Sequence, residues 1–77
     1  MLDLRSMDMR KVIGSNFARL RKEKGLTQED VAERSGFSQS YIGWLERGRR
    51  NPTAISLWLL AQAVEAMPAD LVQPTER

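Results

Sequence analysis

The stretch from Leu26 to Gly48 constrains this chain more than any other, because its backbone punctuation leaves no room for a loop. Thr27 can cap the start of a helix, and Glu29 and Asp30 sit in the first turn, at the positive end of the helix dipole. Ser35-Gly36 ends that helix, since Gly36 is free to take positive φ. Ser38 then caps a second helix that ends at Gly48. The chain must therefore double back as two short helices joined by a tight turn. Val31 and Ala32 fall on the inner face of the first helix. Ile42 and Leu45, three apart, share a face of the second. Phe37 lies in the turn, where it can plug the angle between them.

Gln39, Ser40, Gly43 and Trp44 are left on the outward face of the second helix, where a generic surface helix more often carries Glu and Lys. A helix, a short turn containing Gly and a second helix form the unit that sets a recognition helix in the major groove of DNA. Gln bonds adenine with two hydrogen bonds, and Ser serves base edges and phosphates alike. In an arbitrary helix Gln39 and Ser40 would be ordinary polar surface. Inside this frame, base contact is the favoured reading.

Composition narrows the alternatives. With 77 residues the chain is one domain with a small core, foldable without covalent staples. It has no cysteine and no histidine, which excludes disulfides and zinc fingers and leaves a metal site only carboxylates. No metal, cofactor or small-molecule ligand is expected. Nothing assembles a nucleophile with a base, and there is no Gly-rich phosphate loop, so an enzyme is disfavoured. The longest apolar run, Leu57 to Ala61, is far too short for a membrane span, and the N-terminus lacks a signal-peptide core, so a cytoplasmic location is expected. Residues 1–50 hold 11 Lys/Arg against 7 Asp/Glu, whereas residues 51–77 hold 1 against 3. The positive excess thus lies with the two capped helices. It is compatible with a solvated surface, but it favours an anionic partner.

Three more helices frame the pair. Asp8 caps a first helix running to about Lys24 and stopped by Gly25, with Met9, Ile13, Phe17 and Leu20 as its inner stripe. Pro52 disfavours helix at Asn51, and Thr53 caps a fourth helix to about Val64, with Leu57, Leu60, Ala61 and Val64 facing the core. Pro68 opens a short fifth helix to Val72, and Pro74 stops it. The expected organisation is all-α with five helices: a loose arm over residues 1–7, a folded domain over 8–73 and a tail over 74–77.

From Ile13 to Leu71 the chain resembles the phage-repressor and Cro-like (XRE-type) helix-turn-helix family. The residues that carry the resemblance are Phe17, Leu20 and Arg21; Gly25-Leu26-Thr27-Gln28-Glu29 with Val31-Ala32; Gly36-Phe37-Ser38; Tyr41-Ile42; Leu45-Glu46-Arg47-Gly48; Arg50-Asn51-Pro52-Thr53; and Leu60-Ala61 with Ala63-Val64. The run from Tyr41 to Pro52 looks like many restriction-modification controller proteins. The resemblance implies a compact five-helix, lambda-repressor-like DNA-binding domain. It implies that Gln39, Ser40 and the position of Trp44 read bases, and that Gln28 approaches a phosphate and bonds Gln39. It further implies a structural ion pair between Arg21 and Glu46. Trp44 replaces a usually polar residue, and Glu65 stands where a helix-ending Gly is common. The chain ends just past the fifth helix, as in short stand-alone members.

Around that frame, Arg47, Arg49, Arg50, Asn51 and Thr53 follow the recognition helix and are expected at phosphates, together with Gln28; the bland alternative for the arginines is a solvated loop. Arg19, Lys22 and Lys24 are read as solvated charges. Trp44 has three open roles: groove contact, packing on the fourth helix, or exposure. Ile55 and Leu59, with Trp58 and Val72, form an apolar surface expected to be a dimer interface, although Trp58 could instead cover the side of the core. Two functions follow. The leading one is a homodimeric, sequence-specific regulator of transcription on a palindromic operator in double-stranded DNA. The other is an antitoxin-like module whose apolar C-terminal half binds a partner protein.

Overall fold

The structure, a computed structural model, describes residues 7–75. Apart from Met7 the expected arm lies outside the described residues, as do the last two positions of the expected tail. Five helices follow in order: α1 Met9–Glu23, α2 Gln28–Ser35, α3 Gln39–Glu46, α4 Ala54–Ala63 and α5 Pro68–Val72. Four open on side-chain caps. Asp8, Thr27, Ser38 and Thr53 each accept a hydrogen bond from a backbone N–H in the first turn. At α2 the cap is reciprocal: Asp30 N donates to Thr27 Oγ1 at 3.0 Å, and Thr27 N donates to Asp30 at 2.8 Å. These bonds hold the Asp30 carboxyl below its usual pKa. Pro68 opens α5, and Asp70 accepts the Met67 N–H at 2.9 Å.

Three helices close in one way. The sixth residue of the final loop donates to the first, and the fifth to the second: Leu26 to Arg21 and Gly25 to Lys22 after α1, Arg49 to Trp44 and Gly48 to Leu45 after α3, Ala66 to Ala61 and Glu65 to Gln62 after α4. The left-handed residue is Gly25 in the first and Gly48 in the second, but Glu65, at φ 56°, in the third. Glu65 is tied by Arg34 at 3.3 Å and Lys24 at 3.8 Å, which fastens α1 and α2 to the end of α4.

Every helix gives side chains to the core: Ile13 and Phe17, Val31 and Ala32, Ile42 and Leu45, then Leu60, Ala61, Ala63 and the cap residue Val64 of α4, and Leu71. Helix α1 packs on α3 and α5, α2 on α3 and α4, and α4 on α5. Met9 departs from the expected inner stripe: it is 39% exposed, because as the first residue of α1 it lies beyond the helices that cover Ile13 and Phe17. Leu20 and Leu57 are half-buried against the core rather than within it.

Two features have no counterpart in the hydrophobic pattern. Gly14 lies where α1 crosses the end of α3 so closely that a Cβ would sit 2.3 Å from the Leu45 carbonyl oxygen. Asn16 is the one buried polar side chain among the described residues. Its amide donates to the carbonyls of Leu71 at 2.8 Å and Gln73 at 2.9 Å, while its oxygen accepts from Thr75 and Arg19. It thereby ties the end of α5 down on α1.

Candidate nucleic-acid interface

The angle between α2 and α3 is set from inside. Gly36, at φ 83°, turns the chain, and Phe37 stacks on Tyr41 with ring centroids 4.5 Å apart. At the other end of α3 the Glu46 carboxylate receives the Arg21 fork, Nε at 2.6 Å and Nη2 at 2.9 Å, while Arg21 Nη1 donates to the Leu26 carbonyl. The pair is nearly enclosed, with side-chain exposures of 12% and 9%. Its bidentate geometry raises the Arg21 pKa further above its already high ordinary value. Gln28 Nε2 donates to the same carboxylate at 3.0 Å. One anion on α3 therefore holds α1 and α2 at once. This also departs from the family expectation for Gln28: its hydrogen bond goes to Glu46 and not to Gln39, because Glu46 already offers a charged acceptor.

On the outer face, Gln28, Gln39, Ser40, Gly43, Trp44 and Arg47 line one shallow depression. Gln39 and Ser40 are exposed in the first turn of α3, and Gly43 forms the floor. The atoms nearest to where a Gly43 side chain would stand belong to the Arg47 guanidinium, at 3.5 Å and beyond. Arg47 thus folds back over the recognition helix and does not project beyond it.

Trp44 is exposed rather than packed on the fourth helix. It is 38% exposed, and the Arg50 guanidinium lies over its ring, 4.3 Å from the centroid. Arg50 also donates to the Arg49 carbonyl at 3.0 Å. Burial pushes the Tyr41 phenol above its usual pKa, and the positive charge of Arg50 pulls it back down. Two stacked pairs thus stand on α3, Phe37 on Tyr41 and Arg50 on Trp44. Arg49 and Asn51 are exposed, and Thr53 is engaged as the α4 cap, with Oγ1 accepting from Ser56 N at 3.1 Å.

On the far side, Ile55 is 74% exposed, Trp58 51% and Met67 68%. Trp58 therefore does not cover the core. Leu59 and Val72 are half-buried, and Val72 packs against the core. Ile55 and Trp58, three apart on α4, share an exposed apolar face, with the half-buried Leu59 four residues from Ile55. No helix among the described residues is long and apolar enough to cross a membrane.

The family profile described as helix-turn-helix (HTH_3) matches residues 17–66. The chain is 67% identical over 70 residues to an uncharacterized HTH-type transcriptional regulator, y4dJ, of Sinorhizobium fredii, with 91% of each chain covered. It is 39% identical over 62 residues to control protein C.SmaI of Serratia marcescens, covering 80% of this chain and 74% of that one. The crystal structure of the restriction-modification controller protein C.AhdI from Aeromonas hydrophila superposes with a TM-score of 0.77 at 39% identity, over 80% of this chain and 94% of that one. With capped helices α2 and α3, a polar outer face on α3 and a basic loop behind it, the chain belongs to the XRE-type helix-turn-helix family of DNA-binding transcriptional regulators.

Proposed function

We propose that this regulator acts as a homodimer on a palindromic operator. The observation that carries the reading is the depression on α3 that gathers Gln28, Gln39, Ser40, Trp44 and Arg47 around a bare glycine floor. Gln39 and Ser40 meet base edges there, and the rim of Trp44 left free by Arg50 meets a thymine methyl or sugar. Gln28, Arg49, Arg50, Asn51 and the α4 start at Thr53 take the phosphates on either side. One such helix reads only a few base pairs. A two-fold axis doubles the readout and sets half-sites about 34–36 Å apart or a multiple of that. The Ile55, Trp58 and Leu59 face of α4, with Val72 as a further candidate, lies in the half with excess negative charge and offers an isologous contact.

Selection from random duplexes with the purified chain tests this. A palindromic consensus, with the wild type sedimenting as a dimer and Ile55→Glu as a folded monomer of weakened affinity, is the expected result. A non-repeated consensus bound by a monomer removes the dimer. A wild type that stays monomeric and binds no duplex selectively favours the second reading, in which the exposed Ile55, Trp58 and Met67 meet a different protein.

A further inference from the structure

We infer that Arg47 is a specificity-determining residue that reads a guanine edge, and is not one more phosphate clamp of the basic loop. The inference rests on the operator-binding reading above and concerns what one side chain does within it.

A helical side chain leans toward the N-terminus and covers the turn before its own Cα, so the head of residue 47 falls over residue 43. At that position stands Gly43, an interior residue of an eight-residue helix. Glycine there costs about 0.5–1 kcal/mol relative to alanine, and its φ is not positive, so no turn requires it. The Arg47 guanidinium lies over this bare position, with Nη1 at 3.5 Å and Nη2 at 3.8 Å from where a Cβ would stand, within ordinary contact of it. The cation is thereby placed in the same depression as Gln39, Ser40 and Trp44. The neighbouring arginines differ in this respect. Arg21 has its fork filled by Glu46. Arg50 is stacked on Trp44 and bonded to the Arg49 carbonyl. No carboxylate among the described residues pairs with Arg47, so its planar fork is available. Two parallel N–H donors match the O6 and N7 acceptors that only guanine presents together in the major groove. A lysine in its place would keep the charge and lose the fork.

The test uses the full chain as wild type, Arg47→Lys and Arg47→Ala, with far-UV circular dichroism to establish folding. Random-duplex selection gives each protein's preferred site. The wild-type site is then resynthesised with 7-deazaguanine, which lacks the N7 acceptor, at each guanine in turn. The expected result is a guanine in each half-site whose replacement weakens the wild type roughly 5- to 150-fold, the discrimination that one bidentate pair carries. The same replacement should leave Arg47→Ala unaffected. Arg47→Lys should keep the wild-type salt slope and show a clearly weakened preference for that guanine, since an ammonium can still reach O6 or N7 but lacks the planar fork. A preference that survives intact in Arg47→Lys, or a loss in Arg47→Ala that is equal on all duplexes, overturns the inference and returns Arg47 to the phosphates. If the wild type selects no sequence at all, the operator-binding reading fails first, so the two failures are distinguishable.

Discussion

Gly14 and Gly43 are both interior helix residues without positive φ, yet the same substitution should move stability in opposite directions. Replacing an interior helix glycine by alanine gains about 0.5–1 kcal/mol when the new methyl meets nothing. At Gly43 a Cβ would meet only the mobile Arg47 guanidinium at 3.5 Å, an ordinary contact, so Gly43→Ala should be stabilised by about that amount. At Gly14 the Cβ would lie 2.3 Å from the Leu45 carbonyl oxygen and 3.0 Å from that of Glu46. These are backbone atoms and cannot rotate away. Restoring normal separation pushes α1 off the end of α3 by about 1 Å, which opens gaps around the fully buried Phe17 and Leu45 and disturbs the Arg21–Glu46 pair. Overpacking of this kind costs about 1–3 kcal/mol and sometimes more. Net of the helix gain, Gly14→Ala should be destabilised by about 1 kcal/mol, and by about 2.5 kcal/mol at the upper end of that range. Urea unfolding with a shared slope measures both differences, and in a domain this small they correspond to roughly 4–8 °C of Tm per kcal/mol. A Gly14→Ala protein as stable as the wild type would show that α1 and α3 are not in backbone contact and refute the reasoning.

Arg21→Ala strands the enclosed Glu46 carboxylate with only Gln28 as partner, and should cost about 3–5 kcal/mol; a Tm near that of the wild type would place the pair in solvent. Asn16→Ala removes the donor to two carbonyls at the end of α5 and should cost about 2–3 kcal/mol, with faster amide exchange around Leu71; unchanged exchange there would mean that Asn16 holds nothing. Glu65→Gly relieves a left-handed non-glycine residue, a gain of about 1 kcal/mol, and loses two exposed ion pairs worth about 0–1 kcal/mol each. Because salt screens the pairs and not the backbone, the variant should exceed the wild type in Tm at high salt, and a lower Tm there would contradict this.

The helices are legible in the sequence because the signals that start and stop them are local. Asp8, Thr27, Ser38 and Thr53 each bond a backbone N–H within their own first turn, and Gly25, Gly36 and Gly48 take the positive φ that closes a helix. Helical spacing likewise found Ile13, Phe17, Val31, Ile42 and Leu45. Met9 was assigned to the core because periodicity counts residues without knowing where the covering helices end. The features it missed depend on distant partners. Asn16 bonds carbonyls more than fifty residues away, and its identity alone suggests only a polar surface position. Gly14 is read as a weak helix residue until the Leu45 backbone is placed against it. At the interface the outward residues of α3 were legible from spacing. The seat of Arg47 over Gly43 and the stack of Arg50 on Trp44 were not, because both depend on how the chain turns after Glu46.

Along α3 the residues that build the fold and those that face outward interleave without sharing positions. Ile42 and Leu45 are buried and Glu46 is bonded inward, while Gln39, Ser40, Trp44 and Arg47 line the open depression. The outward positions can therefore diverge between descendants of one gene without eroding stability, since substitutions there leave no cavity and strand no buried charge. Lineages of such regulators can drift to new targets while keeping one scaffold. Gln28 is where the separation breaks down: it faces the depression while its amide is bonded to Glu46, so a change there alters the outer surface and the internal brace together, and inheritance at that position is constrained from both sides.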